Sequence, residues 1–307
     1  MRAVVFRAFG DPSVLSVEDV DVTLAGPGQV LVRVEAAAVN PADLAARGGA
    51  FGPMLPPGRY VPGWDVAGVV AEVGPGVVHF RADDAVVGMS DWLVTKVGTH
   101  AEFVLLDASA LAPAPTTVPA VEAATLPANA LTAVQALDLL GLRAGQVLAV
   151  TGAGGAVGGY TIELARQRGI DVVGIGSAQD EGFVTDLGAT FVARSDDPAA
   201  AVRAVLPAGA DGLLDAAVVG APAVGAVRDG GTFVAVLPPA APPPQRDITV
   251  RTVSVHSDGA ALRELVSMVD DDRLTLRVAD TFALEEAPAA HALLSRPGVR
   301  GRPVLLP

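Results

Sequence analysis

Three glycines occur in a sequence pattern that suits the binding of a phosphate group. Gly152, Gly155 and Gly158 follow an apolar stretch, 147–150, and precede an amphipathic stretch typical of a helix. Without side chains, glycines let phosphate oxygens approach the backbone N–H groups at the positive N-terminus of a helix. A second apolar strand, 172–175, follows where a βαβ unit requires one. The pattern therefore predicts that a dinucleotide pyrophosphate binds at this turn.

The turn itself extends over a continuous run of small residues. The residues predicted to contact the dinucleotide there are Gly152, Ala153, Gly154, Gly155, Ala156, Val157 and Gly158. A glycine-rich strand–helix turn without a ligand is the alternative, and the matching second strand favours the ligand.

Two kinds of sequence surround this turn and predict the fold class. Residues 1–118 contain short Val-rich strands between Gly/Pro turns, which predicts a β-rich domain. Residues 119–256 begin with a helical stretch, 121–142, and then alternate strand and helix, which predicts a doubly wound parallel sheet of the Rossmann type. Residues 257–307 return to the first domain. We therefore expect an α/β protein in which a Rossmann domain is inserted into a discontinuous β-rich domain, with a cofactor cleft between them.

The alternating segment and the part that follows it predict particular elements. Strands are predicted at 147–150, 171–175, 190–192, 212–216, 232–237, 248–255, 274–278 and 303–306. Helices are predicted at 157–168, 179–187, 199–206, 221–228, 260–269 and 285–294.

Composition excludes several classes of function. The 307 residues carry a formal net charge of −13, so nucleic acids and anionic membranes are not expected as partners. The chain contains no cysteine, which excludes disulfides and thiolate zinc sites. No stretch approaches the roughly 20 apolar residues that cross a bilayer, and the N-terminus shows no signal-peptide core. The expected location is the cytoplasm.

Several stretches along the chain together resemble one protein family. They are AAAVNPADLAARGG (36–49), VPGWDVAGVVAEVGPGV (61–77), GTHAEFVLL (98–106), AATLPANALTAVQAL (123–137) and GAGGAVG (152–158), with a final GRPVLLP. In this order they resemble the zinc-free quinone oxidoreductase branch of the medium-chain dehydrogenase/reductase superfamily. The resemblance implies a GroES-like β-rich domain, a nicotinamide cofactor and hydride transfer. No His-Glu pair follows Gly63, and the four histidines are far apart in sequence, so no catalytic zinc is expected.

The end of the second Rossmann strand bears on the choice between NADH and NADPH. Enzymes that use NAD usually place a carboxylate there, and this chain has Gly174-Ile175-Gly176-Ser177. The sequence therefore predicts NADPH, with Ser177 donating a hydrogen bond to the 2′-phosphate. Arg194 is the nearest basic candidate, and an ordinary surface arginine is the alternative. Asp180 falls near the position where some quinone oxidoreductases carry a lysine.

The resemblance also assigns residues around the reacting atoms. Asn40 is expected to face the nicotinamide and to hydrogen-bond the carbonyl oxygen of the substrate, although Asn-Pro also signals a turn. Thr132 is expected to contact the nicotinamide. The other residues expected near the cofactor are Ala217, Leu237 and Pro238.

The substrate pocket is assigned with alternatives. Its expected members are Asp43, Trp64, Trp92 and His100. Asp43 and Asp65 are expected to fix loops rather than to transfer protons. Trp92, in the loop 89–96, is expected to stack on a planar substrate or else to lie in a solvent-exposed connection. His100 is either a proton donor or, preferably, a structural histidine.

The sequence predicts an NADPH-dependent, zinc-independent reductase of a quinone or an α,β-unsaturated carbonyl. An enoyl reductase acting on an acyl thioester or a polyketide-type intermediate is the alternative within enzymes, and a non-catalytic NADPH-binding protein is the alternative outside them. A simple alcohol dehydrogenase is disfavoured because no residue replaces zinc as a Lewis acid. The strand 232–237 is expected at one edge of the Rossmann sheet, and a homodimer is expected to form through that edge.

Overall fold

The computed structural model describes residues 1–307, apart from the side chain of Pro53. It contains two compact units, of which the first comprises Met1–Ala128 and His256–Pro307, and the second comprises Asn129–Val255. The chain thus leaves the first unit once and returns to it once. The sequence set the boundaries at 118/119 and 256/257, and the first of these lies before the helical residues up to Ala128 that pack with the first unit.

The first segment of the chain is built mainly from strands. Its strands are β1 (Arg2–Val5), β2 (Ser16–Asp19), β3 (Gln29–Ala38), β4 (Asp65–Val73), β5 (Ala85–Met89), β6 (Phe103–Asp107) and β7 (Leu111–Pro113). Its helices are α1 (Pro41–Arg47), α2 (Trp92–Thr95) and α3 (Ala120–Ala123). Alternating valines in β3 and β4 point into one core, where Val30, Val32, Val34, Val66 and Val70 are buried.

Four helices and six strands follow. They are α4 (Pro127–Leu140), β8 (Val147–Thr151), α5 (Ala156–Gln167), β9 (Asp171–Gly176), α6 (Glu181–Asp186), β10 (Thr190–Ala193), α7 (Pro198–Val205), β11 (Ala210–Asp215), β12 (Val227–Ala235) and β13 (Thr249–Thr252). The sheet order is β10-β9-β8-β11-β12-β13, and every pair is parallel. This confirms the predicted Rossmann-like parallel sheet.

The chain then returns to the first unit. It adds α8 (Gly259–Asp270), β14 (Val278–Ala283), α9 (Ala287–Leu294) and β15 (Arg302–Leu306). Strand β15 pairs antiparallel with β3, so the seven-stranded sheet of the first unit combines strands from both ends of the chain. The predicted mixed α/β class, with a GroES-like β-rich part, is confirmed.

Some predicted elements are wrong. The helix predicted at 121–142 is interrupted at 124–126, because Pro127 restricts the residue before it and has no N–H to continue the first helix. The strand predicted at 274–278 begins only at Val278, where pairing with Arg302 of β15 starts. The helix predicted at 221–228 is a 3-10 turn, Ala221–Ala226.

The predicted edge of the Rossmann sheet is also wrong. Strand β12, which contains most of the segment 232–237, lies between β11 and β13. Thr232 pairs with Thr249, so the outer strand on this side is β13. The sequence of β13 is short and polar, so it gives little indication that this strand is the outer one on this side of the sheet.

Candidate functional site

The glycine turn begins where β8 ends. Gly152 has a φ of +67°, a conformation that residues with a side chain rarely adopt. The N–H of Gly155 donates to the carbonyl oxygen of Gly152 at 2.9 Å, and α5 begins at the next residue. The first N–H groups of a helix have no acceptor inside the helix, so they are directed out of its N-terminus. The predicted turn therefore presents backbone donors at the carboxyl end of a central parallel strand.

Gly158 allows the helix to approach the turn closely. A Cβ atom on Gly158 would lie 2.2 Å from the carbonyl oxygen of Gly152 and 2.9 Å from the Cα of Ala153. Both neighbours are backbone atoms, which cannot move aside as a flexible side chain does. The turn, the helix N-terminus and the missing Cβ atoms together fit the pyrophosphate of a nicotinamide dinucleotide.

A second loop packs beside the glycine turn and is held by Asp215. This carboxylate ends β11 and is fully buried. It accepts hydrogen bonds from the Thr151 hydroxyl at 2.6 Å, from the Val219 N–H at 3.0 Å and from the Gly220 N–H at 2.7 Å. A Cβ atom on Gly152 would lie 3.2 Å from the Cβ of Ala217. Ala217 thus lies against the turn that is expected to hold the cofactor.

The remaining residue pair expected near the cofactor follows β12. Leu237 is 37% exposed in extended backbone, and Pro238 opens a 3-10 turn. Both lie beyond the carboxyl end of a parallel strand, the edge of such a sheet where ligands bind. Their contact with the nicotinamide stays a prediction.

A carboxylate stands at the tip of β9. Asp180 accepts hydrogen bonds from the N–H of Ser177 at 2.9 Å and from its hydroxyl at 2.6 Å. A Cβ atom on Gly154 would lie 2.3 Å from the Asp180 carboxyl carbon, so this carboxylate lies directly over the glycine turn. The sequence premise that no acid lies at this tip is therefore wrong. The Ser177 hydroxyl donates to Asp180, whereas the sequence had assigned it to a 2′-phosphate.

The sequence placed Asp180 near a position where some relatives carry a lysine, but it did not predict that this carboxylate returns to the strand tip, because the residue lies four positions past the end of β9. The spacing Ser177-x-x-Asp180 is a capping-box pattern, in which the acid returns to the N–H of the first residue. That signal was present in the sequence. Arg194 lies beside the same tip, since its N–H donates to the carbonyl oxygen of Gly176 at 2.7 Å and its side chain is exposed.

In the first unit, three polar residues expected near the substrate form one buried group. Asn40 precedes α1, is 4% exposed, and donates its side-chain Nδ2 to Asp65 Oδ2 at 2.5 Å. Asp65 Oδ1 accepts the N–H of Ala128, in the first turn of α4. Asp43 accepts the N–H of Asn40 at 2.8 Å and that of Gly63 at 3.0 Å. Both carboxyls therefore hold backbone segments, as expected, and Asp65 also fixes the Asn40 amide.

Burial changes the acidity of both carboxyls. Removal from water raises the pKa of Asp43 to about 7, against the lowering effect of its two backbone hydrogen bonds. Burial likewise raises the pKa of Asp65 to about 7, and the nearby Asp43 adds to this rise. Thr132, the other residue assigned to the reacting centre, is half-buried on α4.

The two tryptophans belong to an aromatic cluster. Trp92 is fully buried, and its ring meets Phe6 and Trp64 edge to face, with centroid distances of 6.5 Å and 6.2 Å. Trp64 is 8% exposed. The full burial of Trp92 argues against both expectations, because a ring that stacks on a substrate or lies in a solvent-exposed connection would have an accessible face. Lys96, which ends α2, donates its Nζ to the carbonyl oxygen of Met54 at 2.7 Å.

His100 is a buried neutral histidine. It is fully buried, and its Nε2 lies 3.2 Å from the carbonyl oxygen of Ala38. Burial lowers the pKa of His100 to about 4. Such a ring carries no extra proton near neutral pH, so the geometry favours the structural alternative over the proton donor. Its ring centroid lies 6.2 Å from that of His291, a contact that no sequence pattern predicts.

The stability of the protein should depend on pH through His291. This residue is fully buried, and burial, with additional effects of His100 and Arg47, lowers its pKa to about 2. Because the unfolded chain binds a proton below pH 6.5 and the folded one does not, acid lowers the free energy of unfolding. When the pH falls from 7.5 to 5, we expect the free energy of unfolding of His291→Leu to rise by about 2 kcal/mol relative to that of wild type, as measured by urea unfolding.

The variant must be compared with wild type because other groups change the stability with pH in the direction opposite to that of His291. Asp43 and Asp65, with pKa values raised to about 7, bind protons in the folded state first and stabilise it as the pH falls from 7 towards 4. His79→Leu, at an exposed histidine of the same unit, is the matched control. Parallel pH curves for His291→Leu and wild type would contradict the assignment.

Two general features of the structure bear on function. Among the described residues, no three His, Asp or Glu side chains converge in a group that could hold a metal ion. Within the same residues, no helix combines the length and the apolar character needed to span a membrane.

Comparison with known families gives matches to two domain families. Residues 26–116 match the alcohol dehydrogenase GroES-like domain, and residues 187–305 match the zinc-binding dehydrogenase family. The first match lies within the strand-rich segment of the first unit, and the second runs from the Rossmann sheet to β15.

Relatives of known activity include quinone and enone reductases. Quinone oxidoreductase of Rattus norvegicus is 38% identical over 62% of this chain and 57% of its own length, so this match spans little more than half of that relative. The chloroplastic NADPH-dependent alkenal/one oxidoreductase of Arabidopsis thaliana is 30% identical over 93% of this chain and 76% of its own length.

Solved structures match the whole chain. The quinone oxidoreductase from Coxiella burnetii has a TM-score of 0.87 at 26% identity, covering 100% of this chain and 99% of that one. A mycobacterial protein solved with NADPH has a TM-score of 0.85 at 26% identity, covering 100% of both chains. An NAD-dependent alcohol dehydrogenase has a TM-score of 0.85 at 30% identity, again covering 100% of both chains.

Proposed function

Because this chain belongs to the medium-chain dehydrogenase/reductase superfamily, with quinone oxidoreductases among its relatives, we propose that it is a zinc-independent reductase of conjugated carbonyl compounds. The reductant is a reduced nicotinamide dinucleotide, and the acceptor is a quinone or an α,β-unsaturated ketone or aldehyde. The glycine turn between β8 and α5 carries this proposal, because its positive φ at Gly152 and its missing Cβ at Gly158 suit a pyrophosphate.

The residues that would hold the cofactor lie on the second unit. They are the turn residues 152–158, Ala217, Leu237 and Pro238. When bound, a reduced nicotinamide supplies a hydride to the conjugated acceptor. The sequence predicts NADPH, and the NADPH-dependent relative and the NADPH-bound structure support that prediction. Asp180 over the turn opposes it, so the 2′-phosphate is not part of the proposal.

The chain's contribution to the chemistry is to stabilise negative charge on oxygen. As the acceptor takes up a hydride, its carbonyl oxygen becomes an enolate or a hydroquinone oxyanion, and Asn40 donates a hydrogen bond to this atom. Asp65 positions the amide by accepting one of its N–H groups. Solvent supplies the proton that completes the reduction. Thr132 is proposed to contact the nicotinamide.

A panel of electron acceptors tests this function. The full chain is mixed with each reduced dinucleotide and a small quinone, an enone, an enoyl thioester or a saturated ketone, and dinucleotide oxidation is followed by absorbance. We expect turnover with the quinone or the enone, none with the saturated ketone, and no loss after treatment with a chelator. Turnover with the thioester alone would identify an enoyl reductase. Turnover with the saturated ketone alone, abolished by the chelator, would contradict the proposal, as would dinucleotide binding without any turnover.

We also propose that the protein is a homodimer that pairs through β13. This strand, Thr249–Thr252, is an outer strand of the Rossmann sheet, and unpaired sheet edges are usually covered. A mass of twice the 30.9 kDa chain is expected from light scattering. A monomeric mass across the micromolar range would contradict it.

A further inference from the structure

The carboxylate over the glycine turn bears on which dinucleotide the protein binds. Asp180 is fixed in place by its neighbours rather than extended into solvent. One of its oxygens accepts both the N–H and the hydroxyl of Ser177. Two glycines also face it: a Cβ on Gly154 would lie 2.3 Å from its carboxyl carbon, and a Cβ on Gly176 would lie 3.1 Å from its Cβ. A side chain at position 154 would therefore collide with the carboxylate, and one at position 176 would crowd it.

This position is the one at which Rossmann domains distinguish the adenosine riboses. The pyrophosphate binds at the first strand–helix turn, and the adenosine ribose lies towards the tip of the adjacent second strand. Here β8 carries the turn and β9 is its parallel neighbour. A carboxylate at the tip accepts hydrogen bonds from the ribose 2′- and 3′-hydroxyls and repels a 2′-phosphate.

The charges near this tip bear on whether a ribose hydroxyl or a 2′-phosphate is favoured there. Asp180 brings a negative charge, and the neighbouring Glu181 begins α6 with another. Arg194 is the basic residue anchored at the same tip, through its backbone bond to Gly176, but its side chain is exposed and extends from a loop. A carboxylate held by two hydrogen bonds loses little entropy on binding a ribose, whereas an exposed arginine must first be ordered.

We propose that Asp180 makes this protein selective for NADH over NADPH by binding the adenosine ribose hydroxyls. The proposal rests on the proposed reductase function and specifies its cofactor. It reverses the preference predicted from the sequence, because the acid that appeared to be missing from the strand end is supplied by the residue three positions after Ser177.

Dinucleotide binding, measured by calorimetry without any acceptor, tests this selectivity. We expect the dissociation constant of wild type for NADH to be at least about tenfold lower than that for NADPH, since a carboxylate and a 2′-phosphate at contact distance repel each other. Asp180→Asn keeps the size of the side chain and an acceptor oxygen. In this variant the dissociation constant for NADPH divided by that for NADH should fall by about tenfold or more.

The controls separate this effect from loss of net charge or of structure. Asp186→Asn removes the same charge from an exposed position on α6. Its ratio of dissociation constants for NADPH and NADH should remain within about twofold of the wild-type ratio. ADP-ribose and its 2′-phosphorylated form, which lack the nicotinamide, should show the same preference. A thermal unfolding curve confirms that each variant is folded.

Each outcome decides the proposal. A wild-type protein that binds NADPH more tightly than NADH would overturn it and leave the reductase function intact. The same holds if the NADPH/NADH ratio of dissociation constants is equal in Asp180→Asn and Asp186→Asn. The absence of binding by either dinucleotide would overturn the reductase function as well. A higher ionic strength should weaken the discrimination against NADPH, because salt screens the repulsion between exposed charges.

Discussion

Replacing Asn40 with alanine is expected to lower kcat for the quinone or enone acceptor by about 100- to 1,000-fold, the usual effect of removing one oxyanion donor. The reason is that the developing charge on oxygen loses a donor whose direction is set in advance by Asp65. Dinucleotide affinity should remain within about twofold, since the turn that is proposed to bind the dinucleotide lies on the other unit. Steady-state kinetics and calorimetry on the same preparation measure both.

A matched variant shows whether such a loss is specific. Thr125 is 1% exposed in the same unit, and its hydroxyl donates to the carbonyl oxygen of Glu122 at 2.8 Å. Thr125→Ala therefore also removes a buried side-chain donor, and it should leave kcat within about threefold while costing about 1 kcal/mol of stability. If Asn40→Ala turned over as fast as wild type, the oxyanion role would be refuted.

Replacing Gly158 with alanine should abolish tight dinucleotide binding. The new Cβ would lie 2.2 Å from a backbone oxygen, so helix α5 and the turn must separate. Overpacking of this kind costs about 1–3 kcal/mol, and it would move the N–H groups that are proposed to hold the pyrophosphate. We expect a dissociation constant more than about tenfold higher for either dinucleotide, together with a lower midpoint of urea unfolding.

The control for this substitution is a glycine of the same unit with open space around it. A Cβ on Gly182, in α6, would have no neighbour within 4 Å. Gly182→Ala should bind dinucleotide as wild type does and should be equally or slightly more stable, because alanine favours a helix. Unchanged dinucleotide affinity in Gly158→Ala would mean that the turn is not the pyrophosphate site.

The parallel sheet was predictable because its strands are strongly apolar and alternate with helical stretches. β8, β9, β10 and β11 lie within one or two residues of their predicted positions. The elements that were missed or misplaced carry weaker local signals. The strand predicted at 248–255 is present as β13, but it is limited to Thr249–Thr252, the four residues that pair with β12. The segment 274–278 has strand-like alternation, yet the position of β15 fixes the start of β14 at Val278.

The residues of the candidate site likewise fall into those that the sequence determined and those that only the tertiary structure placed. The sequence alone determined the glycine turn, because the spacing of Gly152, Gly155 and Gly158 is itself the signal, and it determined the superfamily through motifs in order. The tertiary structure decided where the charges stand. It brought Asp180 over Gly154, His291 against His100, and Asp65 onto the Asn40 amide. Such contacts join residues through packing and burial, which no local sequence pattern encodes, and burial is what shifts the pKa values of Asp43, Asp65, His100 and His291.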